Sequence, residues 1–318
     1  MPNAGQPGTQ SGSVGPPVGS RVLVTGATGL IERTVLELIA DEVEVFAVSR
    51  SERESSGTTW LTRDFAQPGS MRETVLALEP QIVIHLAGAN VGDRTLAAVA
   101  PTLAANLVAT VELLEAAARV NVSRVVVSGS LLEEPAGTEV LPIPPSPYGA
   151  SRWASSAYAR MFHALFDTPV TILRPSYAYG PGQAETKLLP HVITTLLRGK
   201  SPELASGERR IDFVFSEDVG RAFLAAAVAP EVEGATIDIG AGEMTRVRDV
   251  VEAVADLVGP NAPDVVFGAV PNRPLEQEIH VDPEHAARLL GWRASTSLED
   301  GLRRTVEWYR SHEAERNR

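Results

Sequence analysis

Cysteine is absent from the 318-residue chain. Its absence excludes disulfides, thiolate metal sites and cysteine nucleophiles. Positive charge is also short: 28 Lys and Arg stand against 40 Asp and Glu, a net charge of −12. A nucleic-acid backbone is therefore not the main partner, and an anionic ligand needs arginines gathered locally. No apolar run reaches the ~20 residues that cross a bilayer, so no membrane partner is expected. The six His residues fall into no ligand spacing, so no metal is expected, and His85 and His163 read as structural. Residues 1–19 are rich in Gly, Pro, Ser, Gln and Thr and lack the basic start and apolar stretch of a signal peptide. They read as a disordered tail, and a cytoplasmic protein is expected.

What is present is an ordinary globular composition, 44% hydrophobic and 21% charged. The length allows one large or two modest domains. The chain is organised around residues 21–50. Val22, Leu23 and Val24 form a β-branched run that reads as a buried parallel strand. Gly26 and Gly29 follow at once. Leu30, Ile31, Val35, Leu36, Leu38 and Ile39 then recur at helical spacing, and residues 43–48 read as a second strand. Glycines in a strand-to-helix turn let backbone N–H groups and a helix N-terminus meet a pyrophosphate. Further on, residues 95–119 read as a long helix, with Leu96, Val99, Leu103, Leu107, Val111, Leu114 and Ala118 as its apolar stripe. Tyr148 and Arg152 are four apart, on one face of a helix opened by Pro145-Ser-Pro.

Thr25-Gly-Ala-Thr-Gly-Leu-Ile resembles the T-G-x-x-G-x-I/L opening of the extended short-chain dehydrogenases/reductases, the nucleotide-sugar epimerase/dehydratase type. The resemblance runs over about residues 20–310. It implies an α/β fold: a Rossmann-type doubly wound parallel sheet over residues 20–175, and a smaller C-terminal α/β substrate domain over 176–318. Within the latter, 211–240 is expected to return partly to the Rossmann sheet. The resemblance places a nicotinamide dinucleotide against Gly26, Thr28, Gly29, Leu30 and Ile31, against Asp64 and Phe65 at the adenine, and against Leu86, Ala87, Gly88, Asn106 and Pro175. At the end of the second strand, Ser49, Arg50 and Ser51 stand where an NAD site carries an acid for the ribose hydroxyl. A hydroxyl and a guanidinium suit a 2′-phosphate, so NADP(H) is preferred and NAD(H) is the alternative.

The resemblance also implies a catalytic set of Ser130, Tyr148 and Arg152. Tyr148 exchanges a proton with the substrate's alcohol or ketone oxygen. Arg152 replaces the family's Lys, and Glu32 replaces a third turn glycine. Arg is longer and planar, and is not interchangeable with Lys at a shaped site. Val170-Thr-Ile-Leu-Arg-Pro-Ser-Tyr-Ala-Tyr-Gly-Pro-Gly182 and the Arg273-Pro274 pair resemble nucleotide-sugar motifs. They imply substrate contacts at Tyr177, Arg210 and Arg273. Leu131 and Leu132 follow Ser130, where dehydratases and decarboxylases carry acids, and Glu133 or Glu134 is expected to reach only across an insertion. These reactions rank below a reductase that uses NADPH on a keto-sugar nucleotide. A 4-epimerase with bound NAD and a non-catalytic NADP-binding protein are the alternatives. The helices at 95–119 and 148–166 carry apolar residues on more than one face, which points to a homodimer.

Overall fold

A computed structural model of the chain describes residues 15–39, 41, 43–89, 92–133 and 143–316. In chain order its elements are β1 (Arg21–Thr25), α1 (Leu30–Leu38), β2 (Glu44–Ser49), β3 (Thr58–Thr62), α2 (Ser70–Leu78), β4 (Ile82–His85), α3 (Leu96–Ala117), β5 (Arg124–Ser128), α4 (Pro147–Phe166) and β6 (Val170–Pro175). There follow β7 (Tyr177–Tyr179), α5 (Leu188–Leu197), β8 (Glu203–Leu204), β9 (Arg210–Phe215), α6 (Ser216–Val228), β10 (Thr236–Ile239), β11 (Met244–Arg246), α7 (Val247–Val258), β12 (Val266–Phe267), α8 (Pro283–Leu290) and α9 (Leu298–Arg316).

Seven strands form one sheet in the order β10-β6-β5-β4-β1-β2-β3, and every neighbouring pair is parallel. The all-aliphatic runs of β1, β4 and β5 suit strands covered on both faces. One face packs on α1 and α6 through Val35, Val219 and Phe223. The other packs on α2, α3 and α4 through Met71, Leu113, Leu114 and Phe162. Strand order reverses at β1, which lies between β2 and β4, and such a switch point opens a crevice at the carboxyl ends of the strands.

A three-stranded sheet, β11-β9-β7, makes a second core with α5, α7 and α9 around Tyr179, Phe213, Val251 and Leu302. The chain crosses between the two cores more than once. β9 lies in the small sheet, whereas α6 packs on the large one and β10 extends it beside β6. The buried Asp218 of α6 clamps the C-terminal segment: its carboxylate accepts from Ser295 Oγ at 2.7 Å and Thr296 N at 2.9 Å, and its carbonyl from Trp292 Nε1 at 2.9 Å.

Two expectations change. Residues 1–14 of the expected tail lie outside the described residues, and residues 15–19 make a turn in which Ser20 N donates to Pro17 O. The stripe assigned to α3 is buried only toward its end, at Leu114: Leu96 is 91% exposed and Val99 and Leu103 each 47%. Thr102, Asn106, Thr110 and Leu113 face inward instead. The physical reason is that the inward face of this part of α3 is polar: Asn106, within a π-helical stretch at Leu103–Val108, and Thr110 bond Ser151 and His85. Apolar periodicity follows apolar side chains alone and misses an inward face built from hydrogen-bonded polar ones.

Candidate active site

β1 delivers the glycine turn to the crevice. Gly26 has φ +78°, and a Cβ there would stand 2.7 Å from Ala87 Cα, so only glycine lets the turn close on the end of β4. Gly29 caps α1 without a side-chain bond, and Leu30 and Ile31 begin the helix. Thr28 is exposed on the turn. Leu86 and Ala87 are buried beside it, and Gly88 is open toward the crevice.

At the end of β2, Ser49 is buried and its Oγ accepts from Ser51 N at 3.1 Å, while Arg50 and Ser51 are exposed. Asp64 is exposed and turns on Ala66 N at 3.1 Å. Phe65, expected at the adenine, is packed into the core with Met71, leaving it 9% exposed. Pro175 closes β6 at the rim of the crevice.

The catalytic candidates converge because two elements end together. Ser146 caps α4 by accepting from Gly149 N at 3.1 Å, and Pro147 opens its first turn, which fixes Tyr148 at the helix start. Ser130 lies two residues past β5 and is 7% exposed; its Oγ accepts from Leu132 N at 3.2 Å. Arg152 is 3% exposed, donates from Nη1 to Ser128 O at 2.8 Å, and holds its guanidinium carbon 5.6 Å from the centre of the Tyr148 ring. A Cβ on Gly88 would collide with Arg152 Nη2 and with Asn106 Oδ1, so the guanidinium reaches across the crevice to the end of β4.

Asn106, inside the π-helical stretch, joins three elements. Its Nδ2 donates to Ser151 Oγ at 2.8 Å and its Oδ1 accepts from Ala89 N at 2.7 Å. Its carbonyl accepts from Ser155 Oγ at 2.9 Å and also from Thr110 Oγ1. Thr110 in turn meets His85, whose other ring nitrogen lies 2.8 Å from Thr25 Oγ1. Burial, aided by the Arg152 charge, pushes His85 down to about 3, so it is a neutral strut. His163 holds Thr168 O at the end of α4. Among the described residues no His, Asp and Glu cluster suits a metal.

Glu133 was expected to reach the site only across an insertion. The structure brings it there directly: Oε1 accepts from Ser130 N at 2.8 Å, and the residue is 6% exposed. A tight turn after β5 achieves this within three residues. Burial pushes the carboxyl up to about 7, against the opposing pull of Ser156, Arg174, the Ser130 amide and Arg152. Glu134 lies outside the described residues.

On the far wall, Tyr177 is 37% exposed and accepts at its hydroxyl from Arg209 Nη1 at 2.9 Å. Arg209 also donates to Gln277 O and lies 3.3 Å from Glu276. Arg210, the residue expected there, is exposed, and its backbone N–H donates to Glu278 Oε1. Strand alternation explains the exchange: Arg209 and Ile211 share a face, and Arg210 takes the other. Arg273 is exposed, and its charge together with burial lowers the pKa of Lys187, burial being the larger cause. Arg209, which meets Tyr177, is a group that sequence reasoning missed, whereas Glu133 was expected only on the condition of an insertion. The signal for Arg209 was its two-residue spacing from Ile211.

The chain matches the NAD dependent epimerase/dehydratase family over residues 22–240. It is 30% identical to a UDP-glucose 4-epimerase of Mycolicibacterium smegmatis, over 92% of this chain and 99% of that one. It is 28% identical to dTDP-glucose 4,6-dehydratase 1 of Escherichia coli K12, over 92% and 93%. Among solved structures, MoeE5 in complex with UDP-glucose and NAD superposes with a TM-score of 0.81 at 30% identity, over 92% of this chain and 99% of that one. A sheet that reverses at β1, a glycine turn beneath it and a serine and tyrosine gathered at the strand ends thus accompany a match over well over half of the sequence: the chain belongs to the NAD dependent epimerase/dehydratase family of enzymes.

Proposed function

We propose that the protein is a nucleotide-sugar 4-epimerase that retains a nicotinamide dinucleotide. The observation that carries the reading is the composition of the reaction end: Ser130 follows β5, Tyr148 opens α4 where Gly149 meets the Leu132 carbonyl, and Leu131 and Leu132 put no acid directly after Ser130. The similarity to the M. smegmatis epimerase supports it. The dinucleotide fits the crevice on one condition. The nearest groups that a Cβ on Gly29 would strike belong to Glu32, and the nearest over Gly88 are the ends of Arg152 and Asn106. Side-chain ends of this kind can give way to a ligand.

When bound, the dinucleotide supplies a hydride acceptor beside the sugar. The chain's own work is proton transfer and holding. The Tyr148 oxygen takes the proton of the sugar C4 hydroxyl as that carbon is oxidised, and returns it when the carbon is reduced from its other face. Ser130 holds the same sugar oxygen. The Arg152 guanidinium, 5.6 Å from the ring centre, holds the Tyr148 ring in place. Arg209, Arg273 and Lys187 offer cationic partners for a diphosphate.

The test offers UDP-glucose and dTDP-glucose to the purified protein and follows the products by NMR. A C4 epimer without net change in nicotinamide absorbance is the expected result. Glu133 favours a second reading, loss of water, because a carboxyl poised near neutrality stands at Ser130. A 4-keto-6-deoxy product would select that reading. Steady oxidation of NADPH by a keto-sugar nucleotide, with no epimer, would restore the reductase.

The end of β2 bears on the cofactor. Arg50 is exposed there, and no acid stands at positions 49–51. Arg50→Asp is expected to shift preference from NADP(H) toward NAD(H) by more than about tenfold, since a charge-assisted phosphate contact is worth roughly 1.5–3 kcal/mol. Dissociation constants for both dinucleotides measure it, and equal ratios in parent and variant would make Arg50 a solvated surface charge.

A homodimer fits the exposed face of α3 and α4. Leu96, Val99, Leu103 and Tyr158 are all more than 40% exposed. A groove of about 480 Å³ runs between these helices, lined by Val99, Leu103, Leu107 and Ala154. Sedimentation should give a dimer at micromolar concentration, and Leu103→Glu a monomer. A monomeric parent would sink the idea.

A further inference from the structure

Glu32 is the one acidic side chain in the first turn of α1, and it does not point away from the crevice. Its carboxyl folds back over Gly29: a Cβ on Gly29 would collide with both oxygens, and a Cβ on Gly26 would stand 3.1 Å from Oε1. The backbone N–H groups of Glu32 and Ile31, which are free at a helix start, favour its charged form, as do Arg152 and Arg33. A carboxyl thus lies where the turn and helix N-terminus would receive a pyrophosphate. Across the crevice the Arg152 guanidinium leans over Gly88.

We propose that Glu32 is an internal stand-in for the dinucleotide's pyrophosphate, holding the anion position of the Gly26–Gly29 turn so that cofactor binding must discharge or displace it. This inference rests on the dinucleotide reading above. It makes Glu32 an affinity-determining residue and couples the two departures from the family motif, since the carboxyl that blocks the turn also offsets the buried charge of Arg152. Entry of the dinucleotide puts a pyrophosphate charge where the ionised carboxyl stood, so Arg152 has an anion beside it in both states.

The sign of the pH dependence follows. Burial raises the Glu32 carboxyl to about 7, with the two amides, Arg152 and Arg33 opposing. Neutral Glu32 leaves the anion position uncharged, and ionised Glu32 repels a pyrophosphate. Affinity therefore falls as pH rises through 7. The other charged groups around it are Arg33 on α1, Arg152 on α4, and Glu133, which faces Arg152 from the turn after β5. Arg33 is engaged by Gly182 O at 2.7 Å, and His85 behind Arg152 is neutral across this range.

The experiment measures the dissociation constant of NAD⁺ by calorimetry at pH 6 and pH 8, for the full chain and for Glu32→Ala and Glu32→Gln. NAD⁺ avoids the titrating 2′-phosphate of NADP⁺. If only the neutral form admits the dinucleotide, affinity in the parent drops about tenfold between these values. Glu32→Ala is expected to bind at least tenfold tighter than the parent at pH 8 and to lose the pH dependence. Glu32→Gln, which keeps the bulk without the charge, should also be flat with pH. Equal affinity of all three proteins at pH 8, or an unchanged pH slope in both variants, overturns the stand-in. If none of them binds NAD⁺ at either pH while circular dichroism shows them folded, the dinucleotide reading itself fails, and this inference with it.

Discussion

Tyr148→Phe is expected to lower kcat by about a thousandfold or more while leaving the fold and dinucleotide binding intact. The substitution removes one oxygen and keeps the ring, which is 9% exposed and packed against Arg152. The helix start is held by the Ser146 cap and is untouched. General acid–base groups contribute about 10²–10⁴-fold, and here one group serves both the removal and the return of the proton, with Ser130 as a holder only. The check is steady-state turnover of the nucleotide sugar that the product assay identifies, beside a thermal melt and an NAD⁺ titration. Turnover within tenfold of the parent would falsify the role given to Tyr148.

The second large effect is on stability. Glu133 is buried, and burial raises its carboxyl from the usual 4.5 to about 7 against the opposing charges of Arg174 and Arg152. Its folded form therefore binds a proton more tightly than its unfolded form. Stability from this group is complete below about pH 4.5 and is lost as pH rises toward 7, since the native state holds the proton that the unfolded state has released. A shift of this size amounts to roughly 3 kcal/mol. Glu133→Gln keeps an oxygen to accept from Ser130 N and carries no charge, so it should exceed the parent by about 1–3 kcal/mol at pH 8 and match it near pH 5. Urea unfolding at the two pH values measures the difference. A parent and variant that run parallel with pH would place Glu133 in a wetter setting than the structure gives it.

The fold was legible in advance because its signals are local. Val22-Leu-Val and Arg124-Val-Val-Val mark buried strands without reference to any neighbour, and Gly26 marks a turn that only a positive φ completes. Ser146-Pro147 announces the start of α4 through cap chemistry that acts within four residues. α3 was legible in length but not in orientation. Its π-helical stretch depends on Asn106 and Thr110 finding Ser151, Ser155 and His85, which come from other parts of the chain.

The candidate site divides along the same line. Sequence alone determined that Ser130, Tyr148 and Arg152 come to one place, because the ends of consecutive parallel strands and the helix that follows them are neighbours by construction. It determined the character of the glycine turn and the lack of an acid at positions 49–51. Only the tertiary structure decided which way the charged side chains turn. Glu32 folds inward because free amides at its own helix start, and Arg152 from a helix more than a hundred residues away, attract it to the same point. Glu133 enters the core because Ser130 N, Ser156 and Arg174 meet it there, and Arg209 rather than Arg210 meets Tyr177 because strand parity sends alternate side chains to opposite faces. Backbone elements follow from short-range sterics and patterning. The direction of a long charged side chain is settled by opposite charges and open hydrogen-bonding groups that only the folded chain brings within reach.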